Sequence, residues 1–269
     1  MGNRTIVITR PSGQSQYLSH MLQSSLSSSG MSSEQLPQVI ALPLLNILPK
    51  SDALLRSQIQ ASLKVADLII FVSPNAVECT MGLLDQPCQE MLDQNILIGV
   101  MGGSSQVALK KYGIGSEDDP GKIILPRDNA HWDSEGLWSE LQKLAWDWNA
   151  KKVIIFKGEG GRDWLANTLK NAGAQVEPIS VYSRTPLDFK DPAWLAVQKI
   201  DFSQSLWLLT SSEAVRYLGQ ANLPVDTAMA ICPHRRISDA AEQIGFREVF
   251  TCEPGDHALI AATQAWLQI

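Results

Sequence analysis

Two short patterns each occur twice in this chain, and their order limits how it can fold. Phe71-Val72-Ser73-Pro74-Asn75-Ala76-Val77 returns as Leu209-Thr210-Ser211-Ser212-Glu213-Ala214-Val215, with Ser73 and Ser211 offset by 138 residues. Ile6-Val7-Ile8-Thr9-Arg10, followed by Gly13 and Leu18/Leu22, is matched by Val153-Ile154-Ile155-Phe156-Lys157, followed by Gly160 and Leu165/Leu169. Here Arg10 and Lys157 lie 147 residues apart. Each pattern reads as an apolar strand, a polar turn and the start of a helix. Two copies of one such unit point to two domains that face one ligand.

Short Val/Ile/Leu runs alternate with amphipathic stretches along the whole chain. Continuous apolar strands between helices predict parallel sheets covered on both faces. The predicted fold class is α/β, with two small doubly wound parallel-sheet domains of flavodoxin-like type. The repeat units interleave, so the first domain is expected to be discontinuous, residues 1–44 plus 187–269. The second, residues 48–182, is inserted into it. Two linkers then run side by side near 45–50 and 183–190, where Pro49 and Pro186 cannot extend a helix. A helix is expected over Glu135–Trp148, with Trp132, Trp138, Trp146 and Trp148 packing in or beside it.

Composition removes several function classes. The chain has 269 residues, 45% apolar and 19% charged, enough for sizeable cores and too apolar for global disorder. A net charge of −6 argues against nucleic acid as a partner, since phosphate binding needs a basic face. It leaves room for an anionic small molecule at a locally positive site. Cys79, Cys88, Cys232 and Cys252 form no Cys-x-x-Cys, and the four histidines are scattered, so no metal site is expected. The chain enters a strand by Thr5 without a basic-then-apolar leader, and no apolar run approaches the roughly 18 residues that span a bilayer. A cytoplasmic protein with no membrane partner is expected.

The polar residues of interest fall at the ends of strands, where doubly wound sheets bind ligands. Ser73 and Ser211 each stand before a helix whose first N–H groups suit a carboxylate or phosphate. Capping alone is the commoner role of a single serine at such a turn, and the repeat tilts the reading towards a ligand. Lys157-Gly158-Glu159-Gly160-Gly161-Arg162 is a glycine-rich turn that lets a ligand approach the backbone, with Arg162 able to pair with a carboxylate. Met101-Gly102-Gly103-Ser104-Ser105 and Cys232-Pro233-His234-Arg235-Arg236 are further strand-end turns. Tyr182 follows an apolar strand directly and reads either as a hinge-packing aromatic or as a phenol that donates a proton. No nucleophile–base pair stands out, so an enzyme of this kind works by holding an anionic substrate in shape.

Ile8-Thr9-Arg10-Pro11, Phe71 to Val77, Trp132-Asp133-Ser134-Glu135-Gly136-Leu137, Gly158 to Arg162, Val181-Tyr182-Ser183-Arg184 and Leu209-Thr210-Ser211-Ser212 occur in this order and spacing. As an ordered set they resemble bacterial uroporphyrinogen-III synthase over nearly the full length. The resemblance implies two α/β domains joined by a two-stranded ladder, with the active site in the cleft between them. It implies closure of the linear tetrapyrrole hydroxymethylbilane to uroporphyrinogen III, with loss of water and inversion of the last ring. No metal and no organic cofactor are implied. The expected catalytic residue is Tyr182, as proton donor. The expected substrate contacts are Arg10, Ser73, Asn75, Ser105, Gly161, Arg162, Ser211 and Arg235. A monomer is expected, with the bilane as partner and a transient contact with hydroxymethylbilane synthase. This chain departs from the family turn at Gly102-Gly103-Ser104-Ser105, and Val72 stands where the family has threonine. The alternative reading is a non-catalytic two-lobed binding or sensor protein for an anionic small molecule.

Overall fold

The computed structural model describes residues 4–28, 36–84, 96–115, 123–128 and 131–268. Cys88, Lys122 and residues 29–33 of the serine-rich loop lie outside these segments. Among the described residues there are eleven strands. They are β1 (Thr5–Ile8), β2 (Gln38–Ala41), β3 (Leu45–Pro49), β4 (Leu68–Phe71), β5 (Leu97–Val100), β6 (Ile123–Ile124), β7 (Lys152–Gly158), β8 (Gln175–Pro186), β9 (Ser205–Leu208), β10 (Met229–Cys232) and β11 (Glu248–Thr251). One sheet has the order β2-β1-β9-β10-β11 and the other β3-β8-β7-β4-β5-β6. The first is parallel throughout, as is the second from β8 to β6. Lys50 N donates to Val181 O at 3.0 Å, and Leu187 N to Leu44 O at 3.0 Å. β3 therefore runs antiparallel to the end of β8, through residues 44–50 and 181–187.

The sequence repeat maps onto the two sheets strand by strand. β1 corresponds to β7, and β9 to β4. In the first sheet Ile8 lies opposite Leu208. Moving each by its own offset gives Ile155 opposite Ile70, which is the register of the second sheet. Read from β8, the second sheet runs β8-β7-β4-β5-β6, the spatial counterpart of β2-β1-β9-β10-β11. The first follows the flavodoxin-like order 2-1-3-4-5 along the chain, and the second has the same spatial arrangement with its strands permuted to 5-4-1-2-3. The chain supplies the strands differently in each. With β3 left aside, each sheet takes two strands from one copy of the repeat and three from the other, an exchange of halves within a single chain.

By compactness the chain divides into Met1–Asn46 with Thr185–Ile269, the outer unit, and Ile47–Arg184, the central unit. In each, alternate strand residues face opposite sides and both sides are buried. In the outer unit Val7, Trp207 and Ala230 pack on one face with Val215 and Leu218. Ile6, Ile8, Leu206 and Leu208 pack on the other with Leu18, Leu22 and Leu259. In the central unit Ile69, Phe71, Ile154 and Phe156 face Ile59, Val77 and Leu109. Leu68, Ile70, Val153 and Ile155 face Leu137, Leu165 and Leu169. Double burial is why these strands read as unbroken apolar runs and show no alternation.

Trp207 is the largest fully buried side chain, its ring stacked on Phe202 at 6.0 Å and edge-on to Phe246 at 5.9 Å. Its indole N–H donates to Ser205 Oγ at 3.1 Å. Trp207→Ala is expected to cost about 3–5 kcal/mol, through lost burial and the cavity left behind. Denaturant unfolding measures this, and a loss below about 1 kcal/mol would mean that the site collapses or is less packed than described.

Three local features depart from the sequence reading, one expected helix that is shorter and two helices that were not expected. The helix expected over Glu135–Trp148 stops at Leu141, gives way to a 3-10 turn at Gln142–Leu144, and reverses at Ala145 with φ 52°. A left-handed alanine costs about 1–3 kcal/mol. The reversal brings Trp148 to 5.5 Å from both Trp138 and Trp146, and Lys151 Nζ to 4.5 Å from the Trp146 ring. Ring contacts worth about 0.5–1.5 kcal/mol each offset that cost. Second, Ala53–Leu63 is a helix capped by Asp52, whose carboxylate accepts from Leu54 N at 2.8 Å. Third, Ala193–Val197 is a short helix that buries Trp194 and Val197. Leu54, exposed on the first of these helices, and Leu195, exposed on the second, blur the apolar stripe that would have announced each helix.

Candidate active site

In the central unit the turn after β4 begins the helix Pro74–Leu83. Ser73 Oγ accepts from Ala76 N at 3.2 Å. In the outer unit Ser211 Oγ accepts from Ala214 N at 3.3 Å, at the start of the helix Ser212–Leu218. Both repeated serines are therefore helix caps. Ser73 has a second partner, Tyr182 Oη, at 3.1 Å.

A β-bulge brings Tyr182 to that position. β7 and β8 run in step from Lys152 opposite Gln175 to Lys157 opposite Ser180, and then Gly158 lies opposite Tyr182. One extra residue on β8 reverses the side-chain alternation. Ile179 and Val181 point into one core, and Tyr182, which simple alternation would turn away, joins the same core. Only 3% of its surface is exposed. The ring lies directly against Gly158, where an added Cβ would sit 2.6 Å from Tyr182 Cε2 and 2.6 Å from Arg184 Nη1. Glycine is needed here for close approach, not for an unusual backbone angle.

Three charged residues surround this contact. Arg184 Nη2 donates to Glu159 O at 3.0 Å, and Glu159 N donates to Tyr182 O at 2.8 Å. Lys50 Nζ lies 2.8 Å from the Glu159 carboxylate. In the glycine-rich turn Gly160 and Gly161 have φ of 67° and 83°, which side chains other than glycine rarely adopt. Lys157 pairs with Asp163 at 2.5 Å and holds that carboxyl below the usual carboxylate range. Arg162 pairs with Glu135 and lies over the Trp164 ring.

Asn75 is half-buried in the first turn after Ser73. Ser105 is buried in the first turn of the helix Gly103–Lys110, while Ser104 is exposed. The central unit thus gathers Ser73, Asn75, Ser105, Gly161, Arg162 and Tyr182 where the adjacent strands β5, β4, β7 and β8 deliver their turns. Trp132 joins them. Its ring lies against Gly102 and Gly103, so that a Cβ on Gly103 would be 2.6 Å from Trp132 Cη2. The paired glycines were the signal for that contact.

The outer unit carries Arg10, Ser211 and Arg235 on the turns after β1, β9 and β10. Arg10 is largely buried and paired with Asp256 at 2.5 Å. Arg235 is solvated, its side chain 90% exposed and 3.9 Å from Asp239. His234 Nδ1 accepts from Arg236 N at 3.2 Å and caps the helix Arg235–Gln243. Burial pushes the thiols up, Cys232 to about 12 and Cys79 and Cys252 to about 11, so all three are protonated near neutral pH. Among the described residues no His, Cys, Asp or Glu cluster is placed to hold a metal ion, and no helix is long and apolar enough to cross a membrane.

The family model described as Uroporphyrinogen-III synthase HemD matches residues 34–261. The chain belongs to the uroporphyrinogen-III synthase family. A curated relative, uroporphyrinogen-III synthase from Synechococcus elongatus, is 27% identical over 256 residues, covering 93% of this chain and 86% of its own. Two solved structures share the fold. Uroporphyrinogen-III synthetase from Helicobacter pylori has a TM-score of 0.61 at 15% identity, over 98% of this chain and 99% of its own. A mutant of the Thermus thermophilus synthase has a TM-score of 0.56 at 16% identity, over 99% of this chain and 100% of its own. At such identities the common feature is the pair of α/β units and not particular side chains.

Proposed function

We propose that this protein is a cyclising lyase that converts hydroxymethylbilane to uroporphyrinogen III, with loss of water and inversion of the last ring, in tetrapyrrole biosynthesis. The family match over residues 34–261, which takes in both Ser73 and Tyr182, is the observation that carries this reading. The non-catalytic binding or sensor alternative is not favoured. The working form is a cytoplasmic monomer that receives the bilane in transient contact with hydroxymethylbilane synthase.

In this reading Tyr182 gives its proton to the terminal hydroxyl of the bilane. The carbon–oxygen bond breaks, water departs, and a cationic azafulvene remains. The substituted carbon of the last pyrrole attacks it, and the resulting spiro intermediate reopens and recloses with that ring inverted. The free α-carbon that finally closes the macrocycle releases a proton, which restores the phenol. Ser73, Asn75, Ser105, Gly161 and Arg162 in the central unit, with Arg10, Ser211 and Arg235 in the outer unit, bind the substrate carboxylates. Their work is to hold a conformation in which the substituted carbon is the nearer nucleophile. Arg10, Arg162 and Lys157 each face a carboxylate of the protein itself. At these positions substrate carboxylates exchange with existing ion pairs.

Freshly prepared hydroxymethylbilane, incubated with the protein and resolved into product isomers, tests the proposal. The type III isomer is expected. Type I alone, the product of uncatalysed closure, refutes the enzyme reading.

A further inference from the structure

We infer that Arg184 is a positioning residue for Tyr182, holding the phenol so that its proton can only be given away from the Arg184 side. This rests on the proposed cyclisation. The guanidinium is anchored by Nη2 on the Glu159 carbonyl at 3.0 Å. Its Nη1 lies 3.5 Å from Tyr182 Oη, and its carbon lies 5.7 Å from the ring centroid. Gly158 leaves the space in which both groups meet the backbone.

A guanidinium donates hydrogen bonds and cannot accept one. With Arg184 on one side of Oη, the phenolic hydrogen is directed to the other side, where Ser73 Oγ stands at 3.1 Å. When the proton passes to the leaving hydroxyl, the O–H bond breaks, the electron pair stays on the phenolate oxygen, and water is formed. The fixed cation beside that oxygen stabilises the developing charge without having to move. The same backbone that anchors Arg184 also holds Tyr182, because Glu159 N donates to Tyr182 O. Tyr182, Arg184 and Glu159 are thus tied together through the Glu159 backbone.

Two measurements test the inference independently. The protein is labelled with carbon-13 at the hydroxyl-bearing ring carbon of its four tyrosines, and Tyr182→Phe identifies the Tyr182 signal. Arg184→Met is expected to move that signal alone, with Arg184→Lys moving it less. An unmoved Tyr182 signal in Arg184→Met overturns the inference. With the bilane as substrate, Arg184→Met is expected to lower kcat on the order of 10- to 100-fold. KM should stay within about threefold, Arg184→Lys should recover part of the rate, and the Met change should add little in a Tyr182→Phe background. A raised KM with kcat intact would instead make Arg184 a substrate contact and overturn the positioning role. If the unmodified protein yields only the type I isomer, the functional reading fails, while the tyrosine signal still decides whether Arg184 holds Tyr182.

Discussion

Tyr182→Phe is expected to lower kcat at saturating bilane by about 10²-fold or more, the usual contribution of a positioned proton donor. The variant removes only Oη. The ring keeps its seat against Gly158 and its place in the core, so the fold loses the hydrogen bond to Ser73, about 0.5–1.5 kcal/mol, and the longer contact with Arg184. Turnover is therefore separated from folding, and a thermal melt near that of the unmodified protein accompanies the loss of rate. Unchanged turnover at saturating substrate removes Tyr182 from the chemistry. Ser73 would then be the leading candidate among the grouped residues, because it shares the hydrogen bond and caps the helix Pro74–Leu83.

The exchange of halves between the repeat copies predicts the second large effect. A fragment spanning residues 47–184 contains every strand of the six-stranded sheet except the first two residues of β3 and the last two of β8, together with both of its cores. It is expected to unfold cooperatively on its own. A fragment spanning residues 146–269 is a complete copy of the repeat, but it breaks the β7/β4 and β1/β9 pairings and leaves two half-sheets. It is expected to show no cooperative transition, because each half-sheet exposes an edge and half a core. Circular dichroism against temperature distinguishes the two. A cooperative melt for residues 146–269 with none for residues 47–184 would mean that the repeat copy, and not the exchanged unit, is the folding unit.

The repeated motifs made the strand-to-helix turns legible before any coordinates. Both serines are caps at the positions the repeats indicated, and Ile8/Leu208 and Ile70/Ile155 share one register. The glycine-rich turn was also legible, since Gly160 and Gly161 do require positive φ. Other features left little local signal. Trp138, Trp146 and Trp148 look like members of one helix, and it takes their mutual packing across a reversal to stop it at Leu141. Arg184 carries no local mark of its role, which depends on a carbonyl 25 residues away in the chain.

Apolar runs, helix caps and repeat offsets are local quantities, and from them the sequence by itself determined two doubly wound sheets with polar turns at their strand ends. It also determined the types of residue available there, namely hydroxyls, arginines and one tyrosine. The interleaved order of the repeats already pointed to a discontinuous unit and an inserted one, and the tertiary structure decided which strands pair and in what order, because only long-range strand pairing chooses between partners of equal local propensity. It alone also decided that Tyr182 turns toward Ser73 and Arg184. That turn depends on one extra residue in β8 against β7, and a bulge is a property of two paired strands that neither strand carries alone.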